Sequence, residues 1–507
     1  MVKSLAVNPE VISSDASHLT QQQSRWAFAA LFLALAGGGT RDALVLFKYP
    51  FAVGVDGYYY LLQIATLQNQ GHLYFHTRAP LILYALTAFS NLIGNPILAI
   101  KIGSIALHVA LCAGIFALIM SVTRSHWLGV LGSVLAAASG AHFYMVGEYI
   151  GNLGALAFLI WSGWCATRVI QTRNNVWAVL SAIGFVAASF SHRSMPAIAF
   201  MIVISVVLMN FLIRARSSGQ SYRAIVALII LALWCAPAIL AAQPFIHLPV
   251  WIERELLIAP RLPLSQAAIA EQVIVLVVAP ATLILILLKQ ESRVSIANLF
   301  LGSVALWNLL ITVNPFLNNK GAMNFTWRLS TLAYIQVAIL VPGLIWLVLS
   351  LRRESAILIA AFVLPLMIGS ARYSLPYGMR PEYLSQRAEL LRRLPFFRQQ
   401  LEQTSLVISP HGEQFIVTSV LGIASQQHWP DNNTYQPIYW LLHHVEPRFY
   451  TSSMILLMKE NDGSYTMLAK DADVQQRLAA ITDIERKRLF MSNPYLYEHM
   501  STRAELN

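Results

Sequence analysis

Long apolar runs, separated by short polar connections, fill the chain from residue 26 to residue 370. Each run has close to the length, about 20 residues, that a helix needs to cross a bilayer. The runs and the charges that flank them predict an all-α polytopic membrane domain with about 11 transmembrane helices. The predicted spans are residues 26–47, 97–123, 127–145, 150–169, 176–190, 194–213, 224–243, 272–288, 296–313, 329–350 and 354–370.

The segment between the first two spans, residues 48–96, predicts a first outer loop with interfacial helices. Its apolar run 79–93 is too short to span, because fifteen helical residues cover about 22 Å of a core about 30 Å thick. Residues 57–70 predict a short helix that Gly71 ends, with Leu61 on an apolar stripe and Gln63 on a polar one. We expect both helices to lie in the membrane interface.

The last part of the chain, residues 371–507, is polar and mixed, and it predicts a small soluble α/β or α+β domain. Residues 380–398 form a basic amphipathic stretch. The runs 406–409 and 414–420 have the composition of strands separated by a turn, and 473–491 predicts a helix. The predicted organisation is therefore an N-terminal segment 1–25, a transmembrane domain 26–370 and a soluble domain 371–507.

Composition supports this division. The 507 residues are 57% hydrophobic and only 12% charged, far from the quarter or so that soluble domains carry. The net charge is +11, but residues 371–507 hold 14 basic and 14 acidic residues, so the positive excess belongs to the membrane part. This distribution argues against a nucleic-acid-binding protein and makes the lipid bilayer the expected partner.

The positive residues also predict the orientation. Arg124, Arg173, Arg214 and Arg352 fall at alternate connections, which places those connections on the cytoplasmic side. The N-terminus is then cytoplasmic and the C-terminal domain extracytoplasmic. The expected location is a bacterial inner (plasma) membrane.

The opposite connections carry the candidate functional residues. Their carboxylates and cations share one predicted face of the membrane, where they can meet a lipid-borne substrate. They are Asp56, Arg78, Glu148, His192, Arg193, Lys320 and Arg328.

Four stretches resemble the GT-C glycosyltransferase superfamily, the polytopic enzymes that use lipid-phosphate-linked sugars. They are VDGYYYLLQ at 55–63 with a downstream LYF and APLILY, then YMVGEYIGNLGALAFLIW at 144–161, SFSHRSMP at 189–196 and NFTWRLS at 324–330. The resemblance covers roughly residues 26–350. Among the members of this superfamily, the stretches resemble protein mannosyltransferases and aminoarabinose transferases. It rests on order, spacing and topology.

The resemblance implies roles for individual residues. Asp56 matches the first-loop acid that the family uses as catalytic base or as the group that orients the acceptor, and Glu148 matches the second acid. Arg193 and Arg328 match basic residues near later spans. Asp56 alternatively caps the helix that begins at Gly57, and Glu148 alternatively favours the N-terminal end of a following helix.

The residues allow the same chemistry without the resemblance. A sugar that leaves a polyprenyl phosphate needs no general acid, because the leaving group is already a stable anion. The site needs a carboxylate to take the acceptor's proton and cations to hold the phosphate. Asp56 supplies the first, and Arg193, Lys320 and Arg328, with His192, supply the second.

The cofactor question stays open between no cofactor and a divalent metal ion. Aminoarabinose-transferase-like members carry an acid–base pair before the prolines of the first loop, whereas this chain has Thr77-Arg78-Ala79-Pro80. Because the acid of that pair is missing here, a metal site shared with those members would lack a carboxylate ligand. The histidines at 72, 76, 411, 443 and 444 show no metal-ligand spacing.

The expected function is transfer of a sugar from a polyprenyl-phosphate donor to a cell-envelope glycan, lipid or protein acceptor on the non-cytoplasmic face, with inversion. A polytopic transporter or lipid flippase is the alternative, and it would place ionisable groups deep in the membrane. Only Lys101 and His108 are counted well inside a predicted span. A non-catalytic protein that binds a lipid-linked glycan is the third interpretation.

Overall fold

The fold is known from a computed structural model, and it is mostly helical, as predicted. The structure describes residues 9–192, 195–217, 268–288, 295–308, 331–349, 363, 377–397, 406–408, 412–426, 438–443, 454–459 and 465–468.

Twelve of the helices described here lie before residue 350. They are α1 Pro9–Leu46, α2 Gly57–Gln70, α3 Leu81–Ile93, α4 Pro96–Thr123, α5 His126–Ala138, α6 His142–Gly147, α7 Ile150–Thr172, α8 Asn175–Ser191, α9 Met195–Ser217, α10 Ile269–Leu288, α11 Ile296–Trp307 and α12 Ala333–Leu349.

Among the residues that the structure describes, four segments are long and apolar enough to cross a membrane, which makes the chain a membrane protein. They are Ser24–Leu46, Pro96–Thr123, Ile150–Thr172 and Ala270–Leu287. Shorter apolar helices occupy the predicted spans 176–190, 194–213, 296–313 and 329–350 in part, so the number of spans stays a prediction. The predicted span 224–243 lies outside the described residues, as does 354–370 except for residue 363.

The prediction of one continuous span over 127–145 is wrong. Helix α5 ends at Ala138, and the short helix α6 begins at His142. The last carbonyl groups of a helix have no partner within it, and here a side chain supplies one. Arg41 donates from one Nη to the carbonyl oxygens of Ala137, Ala138 and Ser139 at 3.0, 2.8 and 3.2 Å. A positive charge at the C-terminal end of α5 also complements its dipole.

By its internal contacts the chain divides into two compact units. Unit 1 comprises Met1–Val45, Arg78–Ile82 and Ile102–Leu375, and unit 2 comprises Leu46–Thr77, Leu83–Lys101 and Pro376–Asn507. The predicted domain limits at 25 and 370 stay predictions.

Unit 1 is a helical body in which α7 packs on α8, α9 on α11, and α12 on both α5 and α10. Small residues allow some of these helices to approach closely, as in many membrane proteins. A Cβ atom added at Gly132 of α5 would lie 2.7 Å from the carbonyl oxygen of Ala338 in α12. The backbones of α5 and α12 therefore approach each other too closely at this point for a side chain to lie between them.

Unit 2 contains a five-stranded sheet and two further helices. The strands are β1 Leu406–Ile408, β2 Ala424–Gln426, β3 Ile438–His443, β4 Met454–Lys459 and β5 Tyr465–Leu468, in the order β2-β1-β3-β4-β5. β1 is parallel to β2 and β3, whereas the β3–β4 and β4–β5 pairs are antiparallel. The helices are α13 Pro381–Phe397 and α14 Glu413–Leu421.

The strand predicted over 406–409 is confirmed in its first three residues, but the strand predicted over 414–420 is wrong. That segment is α14, which packs on α2 and α13. Its β-branched composition fits a strand equally well, and its tertiary neighbours decide the outcome. The helix predicted over 473–491 lies outside the described residues.

Helix α2 has the predicted bounds, and Gly71 ends it in a left-handed conformation with φ of 75°. The predicted faces of α2 are wrong at Gln63 and Leu61. Gln63, expected on a polar stripe, is buried, and Leu61 of the expected apolar stripe is partly exposed. The polar side chain of Gln63 pairs with the backbone of residue 75, which removes the cost of burying it.

The close approach of α5 to α12 can be tested by a pair of glycine substitutions. Gly132→Ala should lower the free energy of unfolding by about 1–3 kcal/mol, because the added methyl group overlaps the Ala338 carbonyl. Gly163→Ala in α7 is the matched control, since nothing lies within 4 Å of its Cβ position. It should be neutral or slightly stabilising. Thermal unfolding of both variants in one detergent measures the difference; equal midpoints would contradict the packing.

Candidate functional site

Residues 47–56, which connect α1 to α2, are held by two buried cations of unit 2. The first is Lys101 of α4, whose Nζ donates a 2.5 Å hydrogen bond to the carbonyl oxygen of Tyr49. Its ammonium group lies 5.3 Å from the centre of the Phe47 ring. Since Lys101 is only 4% exposed, the carbonyl and the ring replace lost water.

The second cation is Arg387 of α13, which is 2% exposed. Its Nη1 donates to the carbonyl oxygens of Ala52, at 3.2 Å, and Gly54, and its Nη2 donates to that of Val55 at 3.4 Å. We call this arrangement the Arg387 clamp. The planar guanidinium has donors in a fixed fork, so it holds three carbonyl groups of the loop in place more tightly than a lysine could.

Two glycines allow the clamped loop to fit. A Cβ atom at Gly57 would lie 3.0 Å from the backbone carbon of Ala52, and one at Gly412 would lie 2.6 Å from a methyl group of Val55. Gly412 also has φ of 89°, a conformation that other residues rarely adopt. The loop before α2 is therefore closely enclosed within unit 2.

Asp56 is the last residue of this loop and the N-cap residue of α2, and it is partly exposed. Its carboxylate makes no capping hydrogen bond to the helix, although its carbonyl oxygen accepts the first helical bond from the N–H of Tyr60 at 3.2 Å. The alternative that Asp56 is present to cap α2 is therefore wrong. The loop thus ends in an acidic residue whose side chain does not cap α2.

An aromatic group lies beside Asp56. The rings of Tyr59, Phe75 and Phe415 contact one another with centroids 5.4 to 5.9 Å apart. Gln63 ties α2 to the following segment through two hydrogen bonds with the backbone of Phe75, at 3.0 and 3.1 Å. Burial, and to a smaller extent the charge of Asp56, raise the pKa of the Tyr59 hydroxyl, while a hydrogen bond with Gln63 lowers it.

Tyr58 and Tyr383 complete the surroundings of the Arg387 clamp. The Tyr383 hydroxyl accepts a 2.7 Å hydrogen bond from Arg387, and its ring centre lies 4.8 Å from the guanidinium carbon. The corresponding distance for Tyr58 is 5.7 Å. Burial raises the pKa of Tyr58 to about 12, although the charge of Arg387 opposes the shift. Both rings offer their negative faces to a cation that has lost its water.

The structure places the other predicted site residues in unit 1 or outside the described residues. Arg78 is exposed between α2 and α3, and Glu148 is 4% exposed just ahead of α7. His192 ends α8 and is partly exposed. The position of Glu148 is compatible both with a substrate contact and with the helix-terminus alternative. Arg193, Lys320 and Arg328 lie outside the described residues.

Unit 1 contains a buried polar cluster that the sequence analysis does not identify. Asp42 of α1 accepts a hydrogen bond of 2.6 Å on each carboxylate oxygen, from Nδ1 of His108 in α4 and from Nε2 of His142 in α6. The two imidazole rings are stacked, with centroids 4.3 Å apart and planes inclined by 8°. All three side chains are at most 1% exposed. We call them the Asp42 cluster.

A second layer of polar groups surrounds the Asp42 cluster. Ser139, in the break between α5 and α6, accepts from His142 Nδ1 and Arg41 on its carbonyl oxygen. Its hydroxyl donates a 2.6 Å hydrogen bond to Glu271 of α10, which is also fully buried. A continuous helix would use these carbonyl oxygens in its own hydrogen bonds. Because α5 ends here, they can accept hydrogen bonds from other side chains.

Glycines bring α1 to this position. A Cβ atom at Gly38 would lie 2.9 Å from the Ala137 methyl group, and one at Gly39 would lie 3.4 Å from Val109. Three consecutive glycines directly before Thr40-Arg41-Asp42 were a usable sequence signal, because an acid that follows a small-residue patch within a span is expected to face other helices. The adjacent Arg41 hides that signal, since it suggests a simple surface pair.

An apolar cavity of about 350 Å³ lies within unit 1. It is formed by side chains from α4, α7, α9, α11 and α12, among them Leu118, Ile160, Ile202, Phe300 and Ile339. Few polar groups reach it. Its chemistry suits a hydrocarbon chain.

Comparisons with known proteins give no assignment: no family model matches this chain, and no curated protein matches it significantly. The likeness to GT-C enzymes therefore stays a prediction from the motifs.

The Arg387 clamp predicts a strong effect of removing the guanidinium. Arg387→Ala should lower the free energy of unfolding by about 2 kcal/mol or more, because hydrogen bonds to charged groups are each worth about 1.5–3 kcal/mol. It should also expose residues 52–56 to proteases. Arg392→Ala, at an exposed position of the same helix, is the control. Thermal unfolding and limited proteolysis measure both; an unchanged loop in Arg387→Ala would refute the clamp.

The raised pKa of Tyr58 predicts a loss of stability in alkali. The unfolded tyrosine ionises near its ordinary pKa of 10, whereas the folded one holds its proton to about 12. Its contribution, on the order of 2 kcal/mol, is therefore complete below pH 10 and is lost as the pH rises towards 12. Tyr58→Phe should flatten the pH dependence of unfolding in this range. Tyr84→Phe, at an exposed tyrosine, should leave the wild-type slope.

Proposed function

We propose that the chain is a GT-C-type membrane glycosyltransferase that moves a sugar from a polyprenyl-phosphate donor to a cell-envelope glycan, lipid or protein acceptor. The proposal includes action on the non-cytoplasmic face of a bacterial inner membrane and a membrane domain of about 11 spans. It carries over the roles that the motif resemblance implies.

The observation that carries the proposal is the setting of Asp56. A carboxylate that does not cap α2 lies at the helix start, directly after a loop whose carbonyl groups accept hydrogen bonds from Lys101 and Arg387. Catalytic groups work best when their surroundings fix them before the substrate arrives. The Arg387 clamp and the enclosing glycines supply that fixation within unit 2.

The apolar cavity of unit 1 supports a lipid-linked donor. A polyprenyl carrier is a branched hydrocarbon chain with one charged end, and its chain requires an apolar groove among membrane helices. The cavity, of about 350 Å³, has such a lining, with Ser162, Ser303 and Gln336 among its few polar residues.

The chemistry assigned to Asp56 is that of a general base. The acceptor oxygen forms a bond to the anomeric carbon of the sugar while the bond from that carbon to the phosphate oxygen breaks. The phosphate leaves with the electron pair, and Asp56 takes the proton of the acceptor hydroxyl. Attack opposite to the leaving group inverts the anomeric centre. Glu148 would orient a substrate, and Arg78, His192, Arg193, Lys320 and Arg328 would bind phosphate or sugar groups.

A transporter or flippase is the second candidate, and one observation favours it. Asp42, His108 and Glu271 are ionisable, buried and carried by apolar helices. Groups of this kind in a membrane segment often mark an ion or proton path. From the sequence, only Lys101 and His108 are expected well inside a predicted span. The structure therefore buries more ionisable groups in apolar helices than the sequence predicts.

The test is turnover by the purified chain in vesicles that contain radiolabelled polyprenyl-phosphate hexoses. Wild type should release polyprenyl phosphate and form a labelled product with envelope extract as acceptor. Asp56→Asn should reduce this rate by at least about a hundredfold, because a general base contributes about 10²–10⁴. Its unfolding midpoint should match wild type.

Gln70→Ala, at the exposed end of α2, is the matched control and should keep full turnover. Full turnover in Asp56→Asn would remove Asp56 from the mechanism. Movement of the labelled lipid between leaflets without transfer would support the flippase, and binding without either would support a lipid-linked-glycan-binding protein.

A further inference from the structure

The buried carboxylate and imidazoles of α1, α4 and α6 have the composition of a metal site. Each residue of the Asp42 cluster offers one ligating atom, and these three atoms lie within 4.8 Å of one another. They come from three helices, so only the folded chain assembles them. Two imidazoles and one carboxylate form a ligand set used by zinc and by other divalent transition-metal ions.

The surroundings of both histidines match those of metal ligands. A histidine that binds a metal through one nitrogen commonly donates its other N–H to a carbonyl or a similar acceptor. Nδ1 of His142 faces the carbonyl oxygen of Ser139, and Nε2 of His108 lies 3.5 Å from Sγ of Cys112. The nitrogens that face Asp42 are therefore the ones left for a shared ion.

The charges of unit 1 call for a cation at this point. Asp42 and Glu271 carry two negative charges, and Arg41 carries one positive charge; all three groups interact in the interior of unit 1. The remaining negative charge must be offset by a proton on a histidine or by a metal ion, since an unbalanced buried charge is costly.

An unsatisfied hydroxyl lies nearby. The Oη atom of Tyr334 in α12 is completely buried and has no hydrogen-bond partner among the described residues. It is close enough to Asp42 and Cys112 to interact electrostatically with both. Three protein ligands leave a fourth position on a tetrahedral ion, and a water molecule bound there would give this hydroxyl a partner.

We propose that Asp42, His108 and His142 bind one divalent transition-metal ion of the zinc class, which joins α1, α4 and α6 inside unit 1. The two N···O distances of 2.6 Å would open to about 3.3 Å, the separation of two ligands about 2.0–2.1 Å from a tetrahedral ion. The inference does not depend on transferase activity. A chain that fails to transfer sugar can still bind zinc here.

The experiment measures metal content in the full-length chain, purified in detergent with a tag that contains no histidine and supplied with zinc. Wild type should retain about one zinc per chain, and X-ray absorption should show nitrogen and oxygen ligands at about 2.0–2.1 Å with the outer-shell signal of two imidazoles. Asp42→Asn and His142→Asn should each lower zinc affinity by at least about tenfold. Removing the ion with a chelator should lower the unfolding midpoint of wild type.

His126→Asn replaces a partly exposed histidine of unit 1 that lies outside the cluster, and it should bind zinc like wild type. Wild type with less than about 0.1 zinc per chain would overturn the proposal, as would variants that bind as tightly as wild type. If the variants do not fold, X-ray absorption of wild type decides alone: a shell without two imidazoles would assign the metal elsewhere. The cluster would then be a proton-bridged ion pair.

Discussion

The cost of burying charge is the constraint on which the polar architecture of this protein depends. An ion that leaves water must find partners of opposite charge or polarity, because otherwise its burial costs several kcal/mol. Arg387 finds backbone carbonyls and aromatic faces, and Asp42 finds two imidazoles. Apolar packing brings the helices together, and the hydrogen bonds of these charges favour the alignment that the structure shows.

The same constraint explains the setting of the candidate base. The loop before α2 buries Phe51, Ala52 and Val53, and its carbonyl groups must then find donors inside the protein. Lys101 and Arg387 supply these donors, and small residues at positions 57 and 412 remove steric obstacles. Asp56 is thereby left at a helix start without a capping duty. The contacts that hold the loop therefore involve its backbone, and they leave the side chain of the candidate base out of the scaffold.

Unit 1 shows how a break in a helix becomes useful. The carbonyl groups freed at the end of α5 would be costly in an apolar setting, and Arg41 satisfies them. The same break presents Ser139 to His142 and Glu271. A hydrogen-bonded centre therefore forms where the helix pattern fails. The proposed transferase chemistry and the proposed metal site draw on different residues, so each stands or falls by itself.

The sequence by itself determined what depends on local composition: the apolar helices, the bounds of α2, with Gly71 at its end, and the first strand of the tail. Burial in lipid and a left-handed turn are properties of a few consecutive residues. Only the tertiary structure decided that 127–145 is broken, that Gln63 is buried and that 413–421 is a helix. It also decided the distant partners of Asp42 and Arg387, which lie 66 to 335 residues away in the sequence. Such pairs form because a buried charge needs a partner of opposite charge or polarity. No local sequence pattern shows which distant group that partner will be.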